Sequence, residues 1–157
     1  ESVMFYLIRA FALCLGVLLG ACATAPASPW GVMGAVNRTG QVYTIYGVLD
    51  WNDMSAVTYV VPKSCFGKKL SLSVEYRTPK GIQAGTAPFH GVHVDYEMRQ
   101  GGRSHYPVDY LADPSPNWRT VNRTWHISSD ADRVVVRIGL QGATGPMEAR
   151  NIAISGC

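Results

Sequence analysis

The sequence predicts an all-β domain, an antiparallel two-sheet sandwich, preceded by one N-terminal hydrophobic helix. Three observations carry this. Seven or eight runs rich in β-branched and aromatic residues alternate apolar with polar positions. Turn formers separate them at regular spacing, with 16 Gly and 9 Pro in 157 residues. Past the N-terminal segment no stretch keeps a helical period, so the strands close on one another.

The elements follow in order. Residues 10–25 carry no charge, and Leu13, Leu15, Val17, Leu18 and Leu19 would point all round a helix, so the segment is not one half-buried face of a soluble core. Residues 3–8 with 10–25 supply roughly the ~20 apolar positions a bilayer span requires. Arg9 lies inside that span and can snorkel to a headgroup on the cytoplasmic side. Leu19-Gly20-Ala21-Cys22 also resembles the lipobox of bacterial lipoproteins. That resemblance implies cleavage before Cys22, which becomes the lipid anchor, with a second acyl chain making the attachment stable. Both readings leave residues 1–25 as signal, anchor or transmembrane segment and residues 26–40 as a tether, the flexible Ala23-Thr24-Ala25-Pro26-Ala27-Ser28-Pro29 run leading into it. The remainder, residues 41–157, is one β-sandwich domain on the periplasmic side of a bacterial membrane.

Within the domain, residues 42–49 and 56–61 read as the first two strands. Lys69–Arg77 follows, with Leu70, Leu72, Val74 and Tyr76 on one face. Residues 90–98 alternate likewise, with Val92, Val94 and Tyr96 together. Residues 104–110 form a further candidate strand after an Arg99-to-Ser104 hairpin turn around Gly101-Gly102. Residues 118–127, 133–140 and 147–154 complete the set. In 133–140, Val134, Val136 and Ile138 face the core while Arg133, Val135 and Arg137 face away. Setting aside Cys14 and Cys22 in the anchor, Cys65 and Cys157 remain, and two cysteines in an exported domain point to one disulfide. In the chain-entropy account a loop this long contributes roughly 4–5 kcal/mol.

Leu70-Ser71-Leu72-Ser73-Val74-Glu75-Tyr76-Arg77-Thr78 is similar to a strand of jelly-roll carbohydrate-binding modules. Their closing half is echoed by Trp118-Arg119-Thr120-Val121, by Asp132 through Leu140, and by Gln141-Gly142-Ala143-Thr144-Gly145 running on to Asn151-Ile152-Ala153-Ile154. The resemblance spans roughly residues 40–157 and implies a jelly-roll sandwich whose chain ends lie close together, so that Cys157 reaches Cys65. It also implies a structural calcium held partly by a carboxylate of the last strand, a position that Arg150 occupies here. A sandwich alone does not fix the ligand.

The net charge of +3 is small and the basic residues are scattered, which leaves no nucleic-acid footprint. His90 and His93, three apart on a strand, point to opposite faces and read as surface or rim residues, with no metal and no cofactor expected. There is no Gly-x-Ser-x-Gly elbow and no cysteine beside a base, so no enzyme is expected. The aromatics are more informative. Trp51, Tyr96, Tyr106, Tyr110 and Trp125 fall near strand ends and loops and are the candidate ligand- or partner-binding residues, whereas Trp118, opening a strand, reads as core. The proline-rich, apolar loop at residues 106–117 is the kind that carries a sandwich's contacts. The expected function is a non-enzymatic, membrane-anchored periplasmic accessory subunit that docks on a larger membrane protein assembly and touches membrane lipid. The alternative is a carbohydrate-binding lipoprotein for polysaccharide or cell-wall glycan. A groove with flanking polar groups favours sugar, and a flat apolar patch favours protein.

Overall fold

The computed structural model describes residues 28–50 and 53–157. Among the described residues twelve strands run in the order β1 Gly31–Met33, β2 Ala35–Thr39, β3 Val42–Gly47, β4 Met54–Val60, β5 Lys69–Arg77, β6 Gln83–Ala84, β7 Gly91–Gln100, β8 Arg103–His105, β9 Leu111–Ala112, β10 Arg119–His126, β11 Arg133–Gln141 and β12 Ala143–Ser155. The helical content of the described residues is a short 3-10 turn at Lys63–Cys65. None of their helices is long and apolar enough to cross a membrane. The expected N-terminal helix and Cys22 lie outside the described residues.

Two antiparallel sheets face each other. Sheet A has the order β1-β4-β11-β7-β8, with β9 also on β7, and sheet B the order β10-β5-β12-β3-β2, with β6 also on β12. The expected sandwich is therefore what forms, and the alternation of each strand decides its faces. Val92 and Val94 of β7 and Val134, Val136, Ile138 and Leu140 of β11 are buried against Leu70, Leu72, Val74 and Tyr76 of β5 and Ile45, Met147 and Ala149 of β3 and β12. The opposite positions of β7 and β11 (His93, Asp95, Glu97, Arg99 and Val135, Arg137, Gln141) form the outer face of sheet A.

Several elements differ from the sequence reading. β1 and β2 lie inside the expected tether, and their exposed edge positions carry no alternation for a sequence to show. Residues 104–110 are not one strand. β8 ends at His105, Pro107 cannot donate to a ladder, and the chain returns to pair with β7 only at β9. The β7–β8 hairpin turns on Gly101 and Gly102 at φ 56° and 78°, as the Gly-Gly pair predicts. β12 runs longer than expected and carries a bulge between Arg150 and Ala153, with Asn151 at φ 51°. A disulfide joins Cys65 to Cys157, 92 positions apart, and ties the chain end to the β4–β5 connection.

Candidate functional site: a cleft on the outer face of sheet A

A cleft of about 350 Å³ opens on the outer face of sheet A, lined by Phe89, His93, Asp95, Tyr106, Tyr110, Arg137 and Gln141. Its floor is built by strand register. Arg137 of β11 lies directly opposite Asp95 of β7, with Gln141 of β11 further along and His93 and Glu97 on either side of Asp95. Asp95 is 0% exposed, so its carboxylate must be fully paired to be tolerated there. It is: Arg137 donates from Nε at 2.9 Å and from Nη2 at 2.7 Å, a bidentate fork. His93 Nδ1 lies 2.9 Å from Asp95 Oδ2, and Nε2 lies 2.7 Å from the Phe89 carbonyl oxygen. The Asp95 carboxylate and the Phe89 carbonyl oxygen together hold the ring in one orientation in the floor. Burial pulls the Arg137 guanidinium down, but the hydrogen bonds and charge of Asp95, with Tyr106 and Glu97 beyond, more than offset this and hold it above its ordinary value.

The walls are aromatic. The Arg137 guanidinium sits 5.0 Å from the Tyr106 ring centroid, and Tyr106 remains 52% exposed. Tyr110 stacks on His93 with centroids 5.8 Å apart and planes 25° from parallel. The segment bearing both tyrosines is clasped to the edge strand of the other sheet. Arg123 of β10 pairs with Asp109 at 3.2 Å and donates to the Leu111 carbonyl oxygen at 3.1 Å, while the Trp125 indole N–H donates to Asp109 at 3.4 Å. The Val94 amide donates to the Tyr110 carbonyl oxygen, which fixes the segment to β7.

Of the five aromatics singled out from sequence, the structure brings Tyr106 and Tyr110 into the cleft. Trp51 lies outside the described residues. Tyr96 and Trp125 are turned inward. Trp125 is 6% exposed and meets Tyr96 edge-on at 5.2 Å. Period two already grouped Tyr96 with Val92 and Val94 on the core face, and Trp125 shares its face with the buried Val121 of the same strand. Trp125 therefore holds the wall of the cleft from behind rather than presenting its ring. His93, Asp95 and Arg137 were not among the sequence candidates. The available signal was a polar residue at most outward positions of two strands that otherwise read as core, His93, Asp95, Glu97 and Arg99 on one and Arg133, Arg137 and Gln141 on the other. His93 is buried in the floor and is not a rim residue.

Trp118 also departs from expectation. It is half-buried against guanidinium groups, with Arg150 at 3.9 Å and Arg77 at 4.7 Å. Arg150 pairs with Glu75 and Arg77 with Glu148, each at 2.7 Å. The Arg150 side chain and Asn151 hold the Glu75 carboxyl below its usual value. Where the resemblance implies a calcium-holding carboxylate, this chain supplies a cation of its own, and those residues do not fit a metal ion.

No protein-family model matches the chain, and no curated protein matches it. Solved structures do. A xylan-binding domain of family 22 carbohydrate-binding modules is 11% identical, with a TM-score of 0.60 over 85% of this chain and 90% of that one. The C-terminal family 22 module of Clostridium thermocellum Xyn10B is 13% identical, with a TM-score of 0.59 over 83% and 86%. The N-terminal cellulose-binding domain of Cellulomonas fimi β-1,4-glucanase C is 12% identical, with a TM-score of 0.51 over 82% and 88%. At such identities the likeness shows the fold: this chain has the two-sheet β-sandwich found in those carbohydrate-binding modules.

Proposed function

We propose that the domain is a non-catalytic module that binds a polysaccharide chain in the sheet A cleft. One observation carries this. The exposed and half-buried tyrosines stand over a concave floor of buried, mutually paired polar groups. Tyrosine rings stack on the C–H faces of sugars, and a preorganised polar floor offers hydrogen-bonding groups without first having to order them. The solved structures described as xylan- and cellulose-binding share the sandwich and support the same reading. The floor also argues against catalysis. Asp95 is enclosed by Arg137 and His93, and the His93 ring is held between Asp95 and the Phe89 carbonyl oxygen, so neither stands unpaired toward a bound chain.

The apolar N-terminal segment and Cys22 would hold this module at a bacterial membrane on the periplasmic side. The Cys65–Cys157 bridge supports an oxidising compartment. Affinity electrophoresis of the full chain in gels containing xylan or soluble cellulose derivatives tests the function. Retardation that disappears in Tyr106→Ala and Tyr110→Ala is expected, and unretarded wild-type protein across all glycans overturns it.

The docking-subunit reading keeps one favourable observation: Val32, Met33 and Val60 are exposed along the β1–β4 edge of sheet A. Mild detergent extraction followed by size measurement tests it, and a chain migrating alone counts against it.

A further inference from the structure

Beyond Asp95 and Arg137, the outer face of sheet A continues toward the β7–β8 hairpin and becomes basic. Arg99 of β7 lies directly opposite Arg133 of β11, on the same face as Asp95 and Arg137. Directly opposed residues of antiparallel strands hold their Cβ atoms about 5 Å apart, and like charges in that position repel. The surroundings do little to relieve this pair. Glu97 is shared: Oε1 accepts from Ser104 Oγ at 2.8 Å and lies 3.7 Å from Arg99, while Oε2 lies 3.9 Å from Arg137. The nearby Asp132 carboxylate accepts from the Gly101 amide. Arg133 has no acidic partner within ion-pair distance among the described residues, and the Arg99 side chain is 62% exposed. Along this lane three arginines (Arg99, Arg133, Arg137) therefore face two carboxylates (Asp95, Glu97), and one of these, Asp95, is consumed in the floor. Between the two basic side chains Glu97, Arg99, Arg133 and Val135 line a second hollow of about 40 Å³.

We propose that this hollow takes a carboxylate carried by the glycan, so that the ligand is an acidic polysaccharide bearing uronic acid units. The proposal rests on the glycan-binding reading of the adjacent cleft. A carboxylate there satisfies both guanidinium groups and removes the repulsion between them, while the sugar ring next to it reaches the Tyr106–Arg137 wall. A neutral chain gains only the second contribution. The ligand-free domain keeps an unfavourable like-charge pair that the bound state relieves.

The test uses the full chain in detergent micelles and two forms of one polymer, a glucuronic acid-substituted xylan and the same xylan after carboxyl reduction. The acidic form binds about tenfold more tightly, the factor expected for hydrogen bonds to a charged group, and the preference shrinks as salt rises. Arg99→Gln with Arg133→Gln removes the preference and leaves the affinity for the reduced polymer unchanged. Arg133→Glu also removes it, yet raises the thermal midpoint of the ligand-free protein by placing opposite charges across the strands. A purely structural role for Arg133 would instead lower that midpoint. Equal binding of the two polymers overturns this proposal and leaves the glycan reading standing. Failure to bind either form overturns both. Dextran sulfate bound more tightly than the acidic xylan, and undiminished by Tyr106→Ala, marks a bare basic patch and overturns the carboxylate site.

Discussion

Asp95 and Arg137 show why the cleft floor resists single substitutions. The carboxylate is fully buried and its fork with Arg137 is bidentate, so removing the guanidinium leaves a charge that water cannot reach. Arg137→Met is expected to cost about 3–5 kcal/mol in urea unfolding. Adding Asp95→Asn to that variant should recover a large part, and the double-mutant cycle measures the coupling. Tyr106→Ala is the opposite case. Its ring is half exposed, so stability should change by no more than about 0.5 kcal/mol while polysaccharide affinity falls at least about fivefold. Denaturant titration and affinity electrophoresis on one preparation separate the two effects. Tyr106 and Tyr110 could be singled out as candidates because they sit in a long, proline-rich loop of the kind that carries contacts. His93 was not, because its partner Asp95 is itself oriented by Arg137, 42 positions along the chain, and strand pairing alone brings them together.

The segment between β8 and β10 lies along the open edge of the sandwich and carries the aromatic wall. Besides the Arg123 clasp, Thr78 and Ser115 exchange hydrogen bonds and the Tyr76 hydroxyl donates to the Asp113 carbonyl oxygen. Arg123 faces inward from an edge strand, and the segment brings Asp109 and the Leu111 carbonyl oxygen to meet its charge there. Arg123→Ala is expected to speed amide exchange in residues 106–112 and to weaken polysaccharide binding without touching the ligand, and Arg123→Lys should restore part of both. Hydrogen exchange read by mass spectrometry, alongside binding, checks it. Strand identity was easier to read. β5, β7 and β11 alternate over nine or ten residues, and their faces followed from period two. β1, β2, β6 and β9 are two to five residues long and are defined by what they pair with, not by their composition.

The two sheets and the disulfide act on the stability of the entire domain. The Cys65–Cys157 bridge constrains the unfolded chain over a separation of 92 residues. Reduction is expected to lower unfolding free energy by roughly 4–5 kcal/mol on the chain-entropy account. Denaturation with and without reductant measures it, and a Cys65→Ser, Cys157→Ser variant should behave like the reduced protein. Alkaline pH acts through two core tyrosines. Burial pushes the Tyr76 phenol up, and burial together with the Asp109 charge pushes up Tyr96. Each phenol holds its proton more tightly folded than unfolded. Their contribution is therefore intact below about pH 10 and is lost as pH rises through the folded values. Unfolding midpoints should fall above that pH, and the fall should be shallower in Tyr96→Phe.

Alternation, turn residues and cysteine count are local properties, and they were enough for an all-β sandwich, the core faces of its long strands and a disulfide between the last residue and the start of the β5 region. Which outward-facing residues become a site is not local. β7 and β11 are antiparallel neighbours in register, a loop folds back over them, and an edge strand of the opposite sheet holds that loop. Asp95, Arg137, Tyr106 and Arg123 are brought together from four separate stretches of chain, and only tertiary structure decides that they meet, because strand pairing and loop closure depend on the entire core rather than on any one segment's pattern.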